Sequence, residues 1–153
     1  MTTEQMISSI GDPMVRELAM RGQTRAFPKN AIIINEGDRG DSLFVILAGK
    51  VKVYVSDDDG REMILDTYSA GDYVGEMSFD GRPRSASVMT LEPTTCAVLT
   101  RDELRAAIAQ NPDVAMTLIS TLIDRARIAT DNVKNLALMD VYGRVARLLL
   151  SLA

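Results

Sequence analysis

The stretch GEMSFDGRPRSASV, residues 75 to 88, sets an acid and a base among small and apolar neighbours. Gly75 lets the backbone bend or come close to another group, and Pro83 fixes the approach to Arg84. Ser85 and Ser87 supply short hydroxyl donors, with Ala86 leaving room between them. Glu76-Met77-Ser78-Phe79 reads as one short helical turn whose free N–H groups point at an anion. A guanidinium, hydroxyls and amides together suit a phosphate, while the Glu76 carboxylate accepts from a sugar hydroxyl. The plainer alternative is an ordinary turn in which Glu76 and Arg84 pair with each other.

The chain has 153 residues, enough for one domain with a real core and an appendage. Apolar residues make up 46% and charged residues 25%, which places it among soluble globular proteins. No apolar run approaches a membrane span and no signal peptide opens the chain, so no membrane partner is expected. A single cysteine, Cys96, cannot form an internal disulfide and falls in a predicted strand, which fits a reducing cytoplasm. There is no histidine. That removes the usual ligands of zinc and haem and the commonest general base, so neither a metal cofactor nor hydrolytic catalysis is expected. The net charge of −4 argues against nucleic-acid binding by this chain alone.

Residues 3 to 22 read as helical, with Asp12 as an N-cap, Pro13 at a first helical position and Gly22 as the stop. Met14, Val15, Leu18 and Ala19 form its apolar stripe. From Thr24 to Leu99 the pattern changes to short strands: AIIIN (31 to 35), SLFVILAG (42 to 49), KVKVYV (50 to 55), EMILDTY, SVMTL and CAVLT. Val51, Val53 and Val55 alternate with Lys50, Lys52 and Tyr54, which predicts one buried and one wet face. Asp57-Asp58-Asp59-Gly60 reads as a solvated hairpin tip, lacking the spaced ligands of a calcium loop. Short strands at this spacing predict a mainly β fold, an antiparallel roll or barrel with flanking helices.

After Leu99 the pattern returns to helix. Arg101-Asp102-Glu103 opens a short one that ends near Asn111-Pro112, and a long one follows to about Met139. Along it Ala115, Ile119, Leu122, Ala126, Ala129, Val133 and Leu136 recur at alternating spacings of four and three. This heptad seam predicts a two-helix coiled coil and hence a homodimer. Val114, Leu118 and Ile128 lie off the seam. Asp140 then reads as the N-cap of a further helix with Val141, Val145, Leu148, Leu149 and Leu152 on one face. The expected divisions are therefore 1–111, 112–139 and 140–153.

GEMSFDGRPRSASV resembles the phosphate-binding cassette of cyclic-nucleotide-binding domains, and most of all that of the cyclic AMP receptor protein family of bacterial transcription regulators. Glycines 37, 49, 60, 71 and 75 match the scattered glycines of those domains, so the resemblance runs from about residue 20 to the end. It implies an eight-stranded antiparallel jelly roll closed by helices, with the long helix as dimer interface. It implies that Glu76 binds the ribose 2′-hydroxyl, that Arg84 and Ser85 hold the cyclic phosphate, and that Gly75, Met77 and Ser78 line the same turn. On the long helix the resemblance assigns the family's arginine to Arg125 and the second of two hydroxyl residues to Thr130. The first of that pair is Ala129 here, which removes one hydrogen bond to adenine. The cassette is also one residue shorter than the commonest family form, at Asp80-Gly81-Arg82. Residues 140–153 resemble the first helix of a winged helix-turn-helix, with no recognition helix after it, so DNA contact is expected only through a domain missing from this chain.

The resulting expectation is a cytoplasmic sensor domain of a dimeric transcription regulator, not an enzyme, with a cyclic nucleotide as ligand and cyclic AMP favoured over cyclic GMP. Three rivals stand beside it. The same fold reads cyclic di-GMP or no ligand, which Ala129 and the short cassette support. A cupin-like jelly-roll enzyme is opposed by the missing histidines. A bare dimerisation scaffold is opposed by the joint presence of Glu76, Arg84 and Ser85.

Overall fold

A computed structural model describes residues 1–152, and the side chain of Ser78 lies outside the described atoms. Two short helices come first, α1 (Thr3–Ser8) and α2 (Pro13–Arg21). The single helical span expected over 3 to 22 is broken before Asp12, whose Oδ1 accepts from the Met14 N–H at 2.8 Å and caps α2. Pro13 has no N–H to lose at that first position, so the cap and the break come from the same two residues.

Eight strands follow: β1 (Gln23–Phe27), β2 (Ile32–Ile34), β3 (Leu43–Ala48), β4 (Lys50–Ser56), β5 (Glu62–Ser69), β6 (Tyr73–Val74), β7 (Ser87–Thr90) and β8 (Thr94–Leu99). They form two four-stranded antiparallel sheets in the orders β1-β8-β3-β6 and β2-β7-β4-β5. This is the expected jelly-roll arrangement. Ile34, Phe44, Ile46, Val51, Val74, Val88 and Cys96 fill the space between the sheets. Leu43, Val45 and Leu47 alternate with the inward Phe44 and Ile46 of β3 and are also buried. The first sheet packs its other face against α1 and α2, which is why β3 is apolar along its whole length. Cys96 is fully buried, and loss of solvent pushes its thiol up to about 12.

The hairpin at Asp57–Gly60 forms as its sequence predicts. Asp57 Oδ1 accepts from the N–H groups of Asp59 and Arg61 at 3.0 and 2.8 Å, and Gly60 takes φ +80°. The alternation along β4 does not hold to its end. Val53 pairs with Asp66 but Tyr54 pairs with Ile64, so Leu65 is an extra residue and the ladder bulges there. Tyr54, expected on the wet face, is only 5% exposed, and Lys52 Nζ sits 5.0 Å over its ring. Its wet neighbour covers it, because a lysine stem packs flat while its ammonium meets the ring face.

After β8, Thr100 caps α3 (Arg101–Gln110), accepting from the Glu103 N–H at 3.1 Å. Asn111 Nδ2 donates to Glu17 Oε2 at 3.0 Å and ties the end of α3 back to α2. The chain divides into two units, the roll with its small helices up to Val114 and the helix from Ala115 onward. That helix belongs to α4, which runs unbroken over Asp113–Ser151, 39 residues. The separate helix expected from Asp140 does not exist as such. Asp140 pairs with Arg144 at 2.9 Å inside α4 and caps nothing, since no proline or extended residue interrupts the ladder before it. Val114 and Leu118 are buried, whereas Ile128 is 49% exposed. Continuing the heptad seam past Leu136 would use Asp140, Gly143 and Arg147. The seam therefore ends at Leu136, and the later apolar set at Val141, Val145, Leu148 and Leu152 lies on roughly the opposite face, at about 100° per residue.

A buried thiol held above its ordinary pKa gives a pH test. The unfolded thiol ionises from about pH 9 and the folded one only near 12, so the unfolded state sheds the proton first. Stability, complete below pH 9, should fall as pH rises toward 12, and Cys96→Ala should flatten that decline in urea titrations. An equal slope in both proteins would show that Cys96 does not set it.

Candidate functional site: a turn built on a buried arginine

The cassette crosses from one sheet to the other. It leaves β6 at Val74, paired with Phe44 of β3, and enters β7 at Ser87, paired with Tyr54 of β4. Both anchors carry core residues, Val74 and Val88, so the two ends cannot move without disturbing the core. Gly75 takes φ +99° and turns the chain into a 3₁₀ turn, η1 (Glu76–Ser78), which is the short helical turn the sequence predicts. A Cβ at Gly75 would lie 2.6 Å from the Ser42 carbonyl oxygen and 3.0 Å from Arg84 Nη1. Both the left-handed backbone and the close approach therefore demand glycine.

Arg84 lies inside this turn, only 8% exposed. Its Nη1 donates to the Gly75 carbonyl at 3.0 Å and its Nη2 to the Ser42 carbonyl at 3.0 Å. The backbone is clamped as well, for Arg84 N–H donates to the Asp38 carbonyl at 2.8 Å and its carbonyl accepts from the Gly37 N–H at 2.8 Å. Burial lowers the pKa of the guanidinium, while the charges of Asp41 and Glu76 act in the opposite direction. Further along, buried Ser87 Oγ accepts from the Glu36 N–H at 2.9 Å and holds the same β2–β3 turn from below.

Around this cation Glu76 is half-buried, Ser85 is exposed and Met77 is 59% exposed. Gly75, Glu76, Met77, Arg84 and Ser85 thus share one turn, together with the backbone of Ser78. The Asp80-Gly81-Arg82 tip is closed locally, with Asp80 Oδ1 accepting from the Arg82 N–H at 3.0 Å and Arg82 Nε 3.3 Å from Asp80 Oδ2. Arg125 and Thr130 belong to α4, in the other unit, where Thr130 Oγ1 donates to the Ala126 carbonyl at 2.9 Å. Of the seam residues, Ile119, Leu122, Val133 and Leu136 are 46%, 38%, 66% and 65% exposed, and Ala126 and Ala129 are exposed with them. The 37–42 turn between β2 and β3 holds Arg84 through its carbonyls and belongs to the site, although none of its residues but Gly37 stands out in the sequence. The carbonyls that hold Arg84 carry no side-chain signature. Among the described residues no cluster of three or more His, Cys, Asp or Glu is placed to hold a metal ion. No described helix is long and apolar enough to cross a membrane.

The turn crosses from one sheet to the other and buries an arginine near a glutamate, and comparison with known proteins places the roll that carries it. The family model of the cyclic nucleotide-binding domain matches residues 24–111. The chain is 33% identical over 144 residues to the cAMP-activated global transcriptional regulator CRP of Salmonella typhimurium, covering 93% of this chain and 69% of that protein. It superposes on the catabolite activator protein of Thermus thermophilus with a TM-score of 0.74 at 30% identity, covering 86% of this chain and 63% of that one. A c-di-GMP responsive global regulator of Xanthomonas campestris gives the same TM-score, 0.74, at 25% identity, covering 90% of this chain and 70% of that one. The chain belongs to the cyclic-nucleotide-binding domains of the Crp family.

Gly75→Ala should cost about 1–3 kcal/mol for the left-handed backbone alone, with the contact against the Ser42 carbonyl adding to it. Urea unfolding measures this. A variant as stable as the parent would mean that the turn relaxes freely and does not fix Arg84.

Proposed function

We propose that this chain is the cyclic-nucleotide-sensing part of a dimeric transcription regulator, with cyclic AMP as the favoured ligand. The carrying observation is the Arg84 guanidinium, desolvated and locked by the Gly75 and Ser42 carbonyls beside Glu76. A cation fixed in this way costs little further ordering when an anion arrives, and its charge is less screened than at an open surface. In this reading Arg84 and Ser85 hold the cyclic phosphate and Glu76 accepts from the ribose 2′-hydroxyl, with Gly75, Met77 and Ser78 lining the turn. Arg125 and Thr130 on α4 are the proposed contacts for sugar and base. Two copies pair through Ala115, Ile119, Leu122, Ala126, Ala129, Val133 and Leu136, and the ligand biases how they pair. The support for pairing is a regular apolar seam that is solvent-facing in the single chain. The relatives are transcription regulators by name, and we assign this chain binding and no catalysis. DNA contact is not assigned to these acidic residues.

A second reading, cyclic di-GMP as ligand, is favoured by the Xanthomonas regulator's likeness and by Ala129 in place of a hydroxyl residue. Calorimetry with cyclic AMP, cyclic GMP and cyclic di-GMP separates the two. Cyclic AMP should bind, with modest preference over cyclic GMP, and Arg84→Ala should weaken it about ten- to a hundredfold, the worth of one charge-assisted hydrogen bond. Unchanged binding by that variant would remove the cassette from the site. Preference for cyclic di-GMP would establish the second reading.

The pairing has its own test. Leu122→Glu combined with Val133→Glu sets like charges across the seam, and analytical ultracentrifugation should show a monomer. A dimer that persists in this variant would place the interface elsewhere.

A further inference from the structure

We propose that Gly40 is a positioning residue for Arg84, and that its missing side chain sets where the anion-binding guanidinium rests. This rests on the functional reading above. Gly40 lies in the turn between β2 and β3 and is exposed. Its backbone is not left-handed, unlike that of Gly37, Gly49, Gly60, Gly71, Gly75 and Gly81. Neither conformation nor packing in a core therefore requires glycine there. What requires it is one neighbour. A Cβ built at position 40 would lie 3.2 Å from Arg84 Nη2, 3.4 Å from Nε and 3.7 Å from Cζ, and apart from its two chain neighbours no other residue comes nearer than these.

An arginine tip would ordinarily swing away from such a contact at little cost. This one cannot do so freely, because Nη1 and Nη2 are each hydrogen-bonded to a backbone carbonyl and the main chain on both sides of Cα is bonded to the same turn. A side chain at position 40 must push the guanidinium off the Ser42 carbonyl or shift the turn itself. A charge-assisted bond to phosphate depends on the donor's direction as much as its distance, so displacement of a few tenths of an ångström lowers affinity before it lowers stability. Gly37, in the same turn, has nothing within 4 Å of a built Cβ, and Gly75, whose Cβ would also meet Arg84 at 3.0 Å, is already glycine for its left-handed backbone, so only at position 40 of these three is the arginine the sole reason for glycine.

The test uses the full chain with cyclic AMP as probe. Gly40→Ala should weaken binding about two- to threefold and Gly40→Val about tenfold or more, the first a partial and the second a near-complete loss of one charge-assisted hydrogen bond. Gly40→Ala should keep a urea midpoint close to the parent's, whereas Gly40→Val, which drives the guanidinium off the Ser42 carbonyl, should lower it, so affinities are compared without urea, where each variant is folded. On an Arg84→Ala background, Gly40→Val should change affinity less than about twofold, because the group it displaces is gone. In the ligand-free protein, the Arg84 Nε–H resonance, assigned by its loss in Arg84→Lys, should move in Gly40→Ala. Parent-like affinity of Gly40→Val, equal losses with and without Arg84, or an unmoved resonance would each overturn the proposal. If Arg84→Ala binds like the parent, or the parent does not bind cyclic AMP, the functional reading falls first and this proposal with it. If Arg84→Ala loses affinity while Gly40→Val does not, only the role of Gly40 falls.

Discussion

A guanidinium withdrawn from water must have its donors met, or its burial costs several kcal/mol. Arg84 directs Nη1 and Nη2 to carbonyls of two separate segments, Gly75 at the start of the cassette and Ser42 at the end of the β2–β3 turn. The arrangement of the loops at this end of the roll follows from that pair of bonds. Gly75 must bend left-handed to present its carbonyl, and that bend starts the 3₁₀ turn that carries Glu76. The β2–β3 turn must reach Arg84, and it does so by exchanging two backbone hydrogen bonds with it and one with Ser87. The buried charge is thus the fastener of the loops around it, and the cost of fixing its side chain is met on folding.

The long helix obeys a different constraint. A roll closes on its own core, as the cluster from Ile34 to Cys96 shows, but α4 presents a row of large apolar side chains at heptad spacing that remain largely exposed in one chain. Exposed apolar surface of this regularity is what a second copy would cover. The seam ends at Leu136, where its continuation meets Asp140, Gly143 and Arg147, and the apolar residues beyond lie on another face. One helix therefore carries two apolar stripes, and no single straight partner helix can cover both. The family model covers residues 24–111, within the roll and α3 and short of α4.

Local features were legible because their causes are local. The Asp57–Gly60 tip, the Asp12–Pro13 cap, the helical turn at Glu76 and the heptad spacing of 115 to 136 each depend on residues within a few positions of one another. The cassette was legible for the same reason, since its glycine, glutamate, proline and arginine follow in one short run. Phase errors arose where a partner strand or a neighbouring side chain intervened. The bulge at Leu65 and the burial of Tyr54 under Lys52 are properties of strand pairing, which alternation within one strand cannot report. The continuity of α4 through Asp140 is similar, because a good N-cap residue is also tolerated inside a helix when an Arg144 stands one turn on.

By itself, then, the sequence determined the antiparallel roll, the order of its parts, the identity of the charged residues in the cassette and the seam on the long helix. Side-chain type and short-range spacing carry all of these. The tertiary structure alone decided that Arg84 is buried rather than reaching into solvent, and that backbone carbonyls of Ser42 and Gly75 hold it. It alone brought Gly40 to where a Cβ would lie 3.2 Å from Arg84 Nη2. Every residue has a carbonyl, so nothing in the amino-acid order marks the one at Ser42; only folding the chain brings it to within 3.0 Å of an arginine 42 positions away.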